Sequence, residues 1–120
     1  MVSDPLVIDR IPRAAEGQDV LCLSGPLTAE NLSPFQNAVR RDYASTMILD
    51  LTDVPYVDSA GLGSLIAAYV THQKAGRRVV LSGVNPRVMK LFEITKTDSL
   101  FFIFPTLADA IDALTKAGTA

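Results

Sequence analysis

The sequence predicts an α/β fold, and three observations predict it. Short apolar runs rich in Val, Ile and Leu recur along the 120 residues. Between them lie stretches with apolar residues at three- and four-residue spacing. Gly, Pro, Ser or Asn marks most of the joins. Runs of this length suit strands buried on both faces. Helical segments between them imply parallel strand pairs with crossover helices.

The elements follow in chain order. Residues 6–11 alternate weakly and read as an edge strand. It pairs through the Glu16-Gly17-Gln18 turn region with Val20-Leu21-Cys22-Leu23, which stops at Gly25-Pro26. Ser33-Pro34 reads as an N-cap followed by proline at the first helical position, and Gln36 completes a capping box. Phe35 and Val39 lie on the apolar side of that helix. Residues 47–51 form a strand buried on both faces. A second helix runs from about Ser59 to Lys74, with Leu62, Leu65, Ile66, Tyr69 and Val70 as its apolar stripe and Gly76 as its stop. Residues 79–81 are a strand ended by Ser82-Gly83. Asn85-Pro86 starts a third helix carrying Val88, Leu91 and Phe92. Residues 100–104, ended by Pro105, are a fifth strand. Thr106 with Asp109 starts a fourth helix carrying Leu107, Ala110, Ile111 and Leu114, with Gly118 beyond it.

Length and composition bound the function. A chain of 120 residues forms one domain, residues 1–120, and buries roughly two-thirds of its unfolded surface. Hydrophobic residues make up 48% of it, which argues against disorder. A net charge of −2 offers no electrostatic footprint for nucleic acid. Arg40-Arg41 and Arg77-Arg78 read as solvated helix ends. The single cysteine, Cys22, excludes an internal disulfide and reads as a buried small apolar side chain. There is no signal-peptide pattern and no apolar stretch near the ~18 residues of a membrane span. The expectation is a soluble cytoplasmic protein.

The stretch that carries chemistry is Asp58-Ser59-Ala60-Gly61-Leu62-Gly63, which opens the second helix after a strand and a short loop. In open α/β sheets such loops, beyond the C-terminal ends of strands, carry the sites. Nucleophilic catalysis would require a base beside Ser59. The only histidine, His72, lies thirteen residues further along the same helix, roughly 20 Å away at the α-helical rise, and reads as the edge of the apolar stripe. No metal-ligand cluster and no phosphate loop is visible, and Gly61-Leu62-Gly63 lacks the third glycine of a dinucleotide fingerprint. No catalytic residue, metal or cofactor is expected. Asp58 can cap the helix as well as Ser59 can. Gly61 and Gly63 weaken the first turns and read as an open approach to the hydroxyl. A phosphate on Ser59 would meet the positive end of the helix and its free N–H groups, so the fold would tolerate it while its surface charge changed.

These residues resemble the STAS domain family, and within it the anti-sigma factor antagonists. The resemblance covers nearly the whole chain. Its core is Ile48-Leu49-Asp50-Leu51, then Val54-Pro55-Tyr56-Val57, then Asp58-Ser59-Ala60-Gly61-Leu62-Gly63. Leu23-Ser24-Gly25-Pro26-Leu27, Gly76-Arg77-Arg78-Val79-Val80-Leu81 and Leu91-Phe92-Glu93-Ile94-Thr95 support it. The resemblance implies a mixed sheet of four to five strands packed against about four helices. It also implies a partner switch. An anti-sigma factor with serine kinase activity binds the unmodified protein and phosphorylates Ser59, the modified protein lets go, and a phosphatase resets it. Asp58, Ala60, Gly61, Gly63, Thr28 and, on the third helix, Met89 would form the partner surface around Ser59. Two departures stand out. Members often carry Asp where this chain has Thr28, and glycine after the third helix where it has Lys96. STAS domains also serve as constitutive subunits or scaffolds of lipid-transport and stress-sensing complexes. A small enzyme or nucleotide-binding protein using the same loop is the reading from another class.

Overall fold

The computed structural model describes residues 5–118. Nine elements follow one another: β1 (Val7–Ala15), β2 (Gln18–Ser24), α1 (Leu32–Arg40), β3 (Thr46–Asp53), α2 (Ser59–Lys74), β4 (Arg78–Ser82), α3 (Pro86–Ile94), β5 (Ile103–Phe104) and α4 (Leu107–Gly118). The five strands form one sheet in the order β1-β2-β3-β4-β5. β1 runs antiparallel to β2, and every other neighbouring pair is parallel, so the sheet is mixed. The α/β expectation and the edge position of β1 both hold.

Side-chain alternation on the central strands divides the core into two layers. Leu21, Leu23, Leu49, Leu51, Val79 and Leu81 point to one face, where Phe35 of α1, Leu62 and Leu65 of α2, and Val88 and Phe92 of α3 cover them. Val20, Ile48 and Val80 point to the other face, where Ala110 packs with Leu107, Ile111 and Leu114 of α4. Burial on both faces is why these strands read as continuous apolar runs. Each fully buried Leu, Ile, Val or Phe contributes about 1.5–3 kcal/mol.

Several local expectations are corrected. α1 begins at Leu32 with Asn31 in the N-cap position, not at Ser33. The Asn31 side chain turns back into the preceding loop, where its amide donates to the Pro26 carbonyl and its oxygen accepts from Thr28 N–H at 2.7 Å. It makes no helix cap, and Pro34 falls in the first turn, where a missing N–H removes no helical bond. Strand β5 is shorter than residues 100–104. The backbone turns through Leu100 N–H to Thr97 O at 3.0 Å, and Phe101 drops into the core against Phe92 and Tyr69. Gly118 lies in the last turn of α4 rather than beyond it. Val70 is exposed, at the margin of the α2 stripe, and Cys22 is half-buried rather than buried. Burial, with the charges of Asp50, Asp9 and Asp53, pushes the Cys22 thiol above its ordinary pKa, away from thiolate chemistry.

Helix ends show where glycine is replaceable. α2 closes as expected: Gly76 has φ +73°, with Gly76 N–H to Gln73 O and Arg77 N–H to His72 O. α3 closes with the same pair of bonds, Lys96 N–H to Glu93 O at 3.1 Å and Thr97 N–H to Phe92 O at 2.9 Å. Lys96 occupies the left-handed position there, with φ 59°. The turn after α3 therefore keeps the shape a glycine would give and carries a lysine instead.

Candidate functional site

Ser59 is the first residue of α2, exposed, and its hydroxyl has no hydrogen-bond partner among the described residues. Asp58 takes the cap. Its Oδ1 accepts from Gly61 N–H at 2.8 Å, and its other oxygen, Oδ2, accepts from Ala29 N–H at 3.0 Å. One carboxylate thus caps α2 and ties down the loop before α1. Burial pushes this carboxyl up, but the N–H groups of Ala29, Gly61, Ala60 and its own residue outweigh that and hold it below its ordinary value. Asp58 is a carboxylate at neutral pH, directly beside the Ser59 hydroxyl.

The two glycines do different things. A Cβ on Gly61 would stand 2.1 Å from the Leu27 carbonyl oxygen and 2.9 Å from Val57 Cγ1. Gly61 is buried, and it is glycine because the Leu27 backbone crosses the first turn of α2 at contact distance. The sequence reading of Gly61 as an open approach is corrected on this point. A Cβ on Gly63 would meet nothing within 4 Å. Gly63 is exposed and is the open side of the helix start.

Two more loops complete the surface. Leu27 and Val57 form a parallel bridge, with Leu27 N–H to Tyr56 O at 3.1 Å and Asp58 N–H to Leu27 O at 3.2 Å. Thr28 follows it, half-buried, its N–H and hydroxyl both donating to Asn31 Oδ1. Asn85 caps α3 through Val88 N–H at 2.8 Å, while its amide reaches Val54 O at 3.0 Å and Pro55 O at 3.3 Å. The start of α3 is thereby held against the loop that leads into Ser59. Arg87 lies over the Tyr56 ring at 5.0 Å from its centre. A shallow depression of about 450 Å³ runs from Asp58 past Arg87 and Lys90 to Ile94.

The structure brings Thr28, Asp58, Ser59, Ala60, Gly61 and Gly63 to one end of the molecule. Met89 is half-buried and packs against the core, so the exposed side chains of α3 here are Arg87, Lys90 and Ile94. Asn31, the second attachment of Asn85 and the Leu27 carbonyl escaped the sequence reading. Asn85-Pro86 signalled a helix start but not its tie to residues 54–55, and nothing in the local sequence signalled the Leu27 approach. His72, expected at the edge of the stripe, is fully buried at 1% exposure, at the far end of α2 from Ser59. No group of three or more His, Cys, Asp or Glu among the described residues is placed to hold a metal ion. No helix among the described residues is long and apolar enough to cross a membrane.

The model of the STAS domain matches residues 11–110. An anti-sigma-B factor antagonist of Listeria monocytogenes is 43% identical over 47 residues, which cover 39% of this chain and 41% of that protein. The matched stretch is therefore about two-fifths of that relative's length. Among solved structures, an anti-sigma factor antagonist from Mycobacterium paratuberculosis superposes with a TM-score of 0.74 at 24% identity, covering 93% of this chain and 97% of that one. The Bacillus cell fate determinant SpoIIAA in its phosphorylated form superposes with a TM-score of 0.67 at 18% identity, covering 91% and 98%. At these identities the structural likeness carries the fold alone. With 100 of its 120 residues matched, the chain belongs to the STAS domain family.

Proposed function

We propose that this STAS domain is an anti-sigma factor antagonist whose affinity for its partner is set by phosphorylation of Ser59. In this reading it is a non-catalytic cytoplasmic binding module. Unmodified, it docks an anti-sigma factor with serine kinase activity through the surface around Thr28, Asp58, Ser59 and Gly63. Phosphorylated, it is released, and a phosphatase returns it to the binding state.

The observation that carries the reading is the division of labour at the start of α2. Asp58 satisfies the helix cap, so the Ser59 hydroxyl is exposed, unpartnered and free of any structural duty. A phosphate there lies at the positive end of a 16-residue helix, so the fold accommodates it. The same phosphate adds about −1.5 to −2 charge beside the Asp58 carboxylate, and a partner fitted to the neutral hydroxyl must then desolvate two adjacent anions. The name of the Listeria relative points the same way.

The test is calorimetric titration of the cognate kinase with three forms of the chain. Ser59→Ala should bind like the unmodified protein and stay bound in the presence of ATP. Ser59→Asp should bind at least a hundredfold more weakly, a loss of about 3 kcal/mol. Equal binding by Ala and Asp variants would refute the switch. Incubation with ATP and the candidate kinases, followed by mass measurement, separates this reading from a constitutive scaffold, which would gain no phosphate on Ser59.

A further inference from the structure

The end of the molecule opposite Ser59 is basic. β3 begins at Thr46 and β4 at Arg78, and the two strands pair in parallel with Thr46 beside Arg78. The loops that lead into them, residues 41–45 and 75–77, therefore lie side by side. Arg78 N–H donates to the Ser45 carbonyl at 2.8 Å, and the Arg77 guanidinium donates to the Asp42 carbonyl at 2.7 Å. Arg77 also lies over the Tyr43 ring, 5.7 Å from its centre, and lines one depression together with Arg40. Arg40 ends α1, Arg41 follows it, and Lys74 ends α2. The two arginine pairs, far apart in sequence, thus meet at one end.

Helix polarity explains only part of this concentration. Cations complement the negative C-terminal end of a helix, which suits Arg40 and Lys74. It does not account for Arg78, which stands in β4. Nor are the charges neutralised. Among the described residues, the ion pairs join Arg10 to Asp19 and Asp42, and none of these five cations takes part. Asp42, in the same loop, is buried, its Oδ2 3.8 Å from Arg10 Nε. Glu16, in the β1–β2 turn, shares a depression with Arg78 and offsets one charge. With 11 basic and 13 acidic residues in the chain, five cations at one end leave the remainder acidic. Tyr43 stands among these cations with 80% of its surface exposed.

We propose that this basic end docks the domain on an anionic phospholipid surface. Arg40, Arg41, Lys74, Arg77 and Arg78 meet the phosphates, and guanidinium donors suit phosphate oxygens. Tyr43 lies at headgroup level, where an amphipathic ring is favoured. The cations are spread over two loops and two helix ends, which suits a field of separate phosphates rather than one bound anion. A protein partner would want an apolar centre depleted of charge, and these loops offer one tyrosine. Screening confines the attraction to about 8 Å at physiological salt, so the acidic remainder does not cancel it. Ser59 and Lys74 stand at opposite ends of α2, roughly 22 Å apart at the α-helical rise. A domain resting on its basic end keeps the Ser59 surface in solvent. The proposal is independent of any switch at Ser59.

The test is sedimentation of the full chain with two kinds of vesicle at about 0.1 M salt. One is made of equal parts phosphatidylglycerol and phosphatidylcholine, the other of phosphatidylcholine alone. The chain should pellet with the anionic vesicles and stay in solution with the neutral ones. Raising the salt to about 0.5 M should release it. Arg41→Ala and Arg78→Ala should each lower the partition coefficient about fivefold, the worth of one cation near such a surface. Tyr43→Ala should lower it as well. Arg87→Ala, which removes an exposed cation at the Ser59 end, should leave it unchanged. All four side chains are exposed, so the variants keep the fold. No pelleting with anionic vesicles, equal pelleting with both kinds, or an Arg87→Ala loss as large as that of Arg41→Ala would overturn the proposal. So would tighter binding to a short DNA duplex or to polyglutamate at the same salt, which would assign the basic end to nucleic acid or to an acidic protein.

Discussion

Alanine at Gly61 and alanine at Gly63 should move the stability of this domain in opposite directions, although both glycines lie near the start of one helix. At Gly63 the added Cβ meets nothing within 4 Å, so only backbone propensity changes. Alanine is better than glycine there by about 1 kcal/mol, which for a chain of this size raises the melting temperature by roughly 3–6 °C. At Gly61 the same propensity gain is opposed by a Cβ placed 2.1 Å from the Leu27 oxygen and 2.9 Å from the Leu27 carbonyl carbon. The obstacle is backbone, held by the Tyr56 and Asp58 hydrogen bonds on either side, and it cannot rotate away as a flexible side chain would. Overpacking of this kind costs typically 1–3 kcal/mol and sometimes more. With a backbone obstacle the cost lies at the upper end of that range, and less the propensity gain of about 1 kcal/mol it leaves a net loss of about 2 kcal/mol. It should be accompanied by displacement of residues 27–29 from α2 and weakening of the Ala29 N–H bond to Asp58. Urea unfolding followed by circular dichroism measures both variants, and amide exchange at Ala29 reports the loop. Gly61→Ala as stable as the unsubstituted protein, with Ala29 still protected, would refute the account of why glycine stands there.

Three further predictions rest on single contacts. Lys96→Gly should stabilise by up to about 1 kcal/mol in the same unfolding assay, because the left-handed φ of 59° strains a lysine and suits glycine. Asp42→Asn should stabilise at neutral pH in the same assay. Burial and the neighbouring Asp19 carboxyl raise the Asp42 pKa, against the opposing pull of the Ala44 N–H and Arg10. The folded state therefore binds its proton more tightly than the unfolded chain, so stability falls as pH rises from the ordinary carboxylate value, roughly 3.9, through the raised one. The asparagine oxygen keeps the Ala44 N–H bond, its amide donates toward Asp19, and the gain should vanish below that ordinary value. Asp58→Ala should cost about 1–2 kcal/mol through the lost cap and the orphaned Ala29 N–H. The lowered pKa of Asp58 means that its contribution is present above the ordinary carboxylate value and disappears as acid titrates the folded form. The gap between the unfolding curves of this variant and the parent should therefore be full at pH 7 and narrow as the pH falls through 3 and below.

Much of this molecule was legible before any coordinates. Residues 20–23, 47–51 and 79–81 read as strands because burial on both faces leaves no polar alternation. The Asp58-Ser59 helix start read correctly because capping is a local matter, decided within three residues. What stayed hidden depends on segments distant in sequence. Gly61 looks like an open approach until the Leu27 carbonyl is seen against it. His72 sits beside a stripe of apolar residues, and only the folded chain around α2 buries it completely. Asn31 carries a capping side chain, yet the loop behind it claims that side chain first. Lys96 gives no local sign of a left-handed turn, because lysine rarely adopts one.

The double attachment of Asp58 has a consequence for rates. Because one carboxylate holds both the α2 start and the 27–29 loop, the surface around Ser59 is already assembled in the free protein. A partner meeting it has no loop to order and loses no time to rearrangement here, so encounter should run at the ordinary 10⁵–10⁷ M⁻¹s⁻¹ of rigid docking. A phosphate on Ser59 would alter the charge and hydration of that surface without dissolving it. Its effect should then fall mainly on how long the complex lasts, and a partner could sample the modified form often while holding it only briefly.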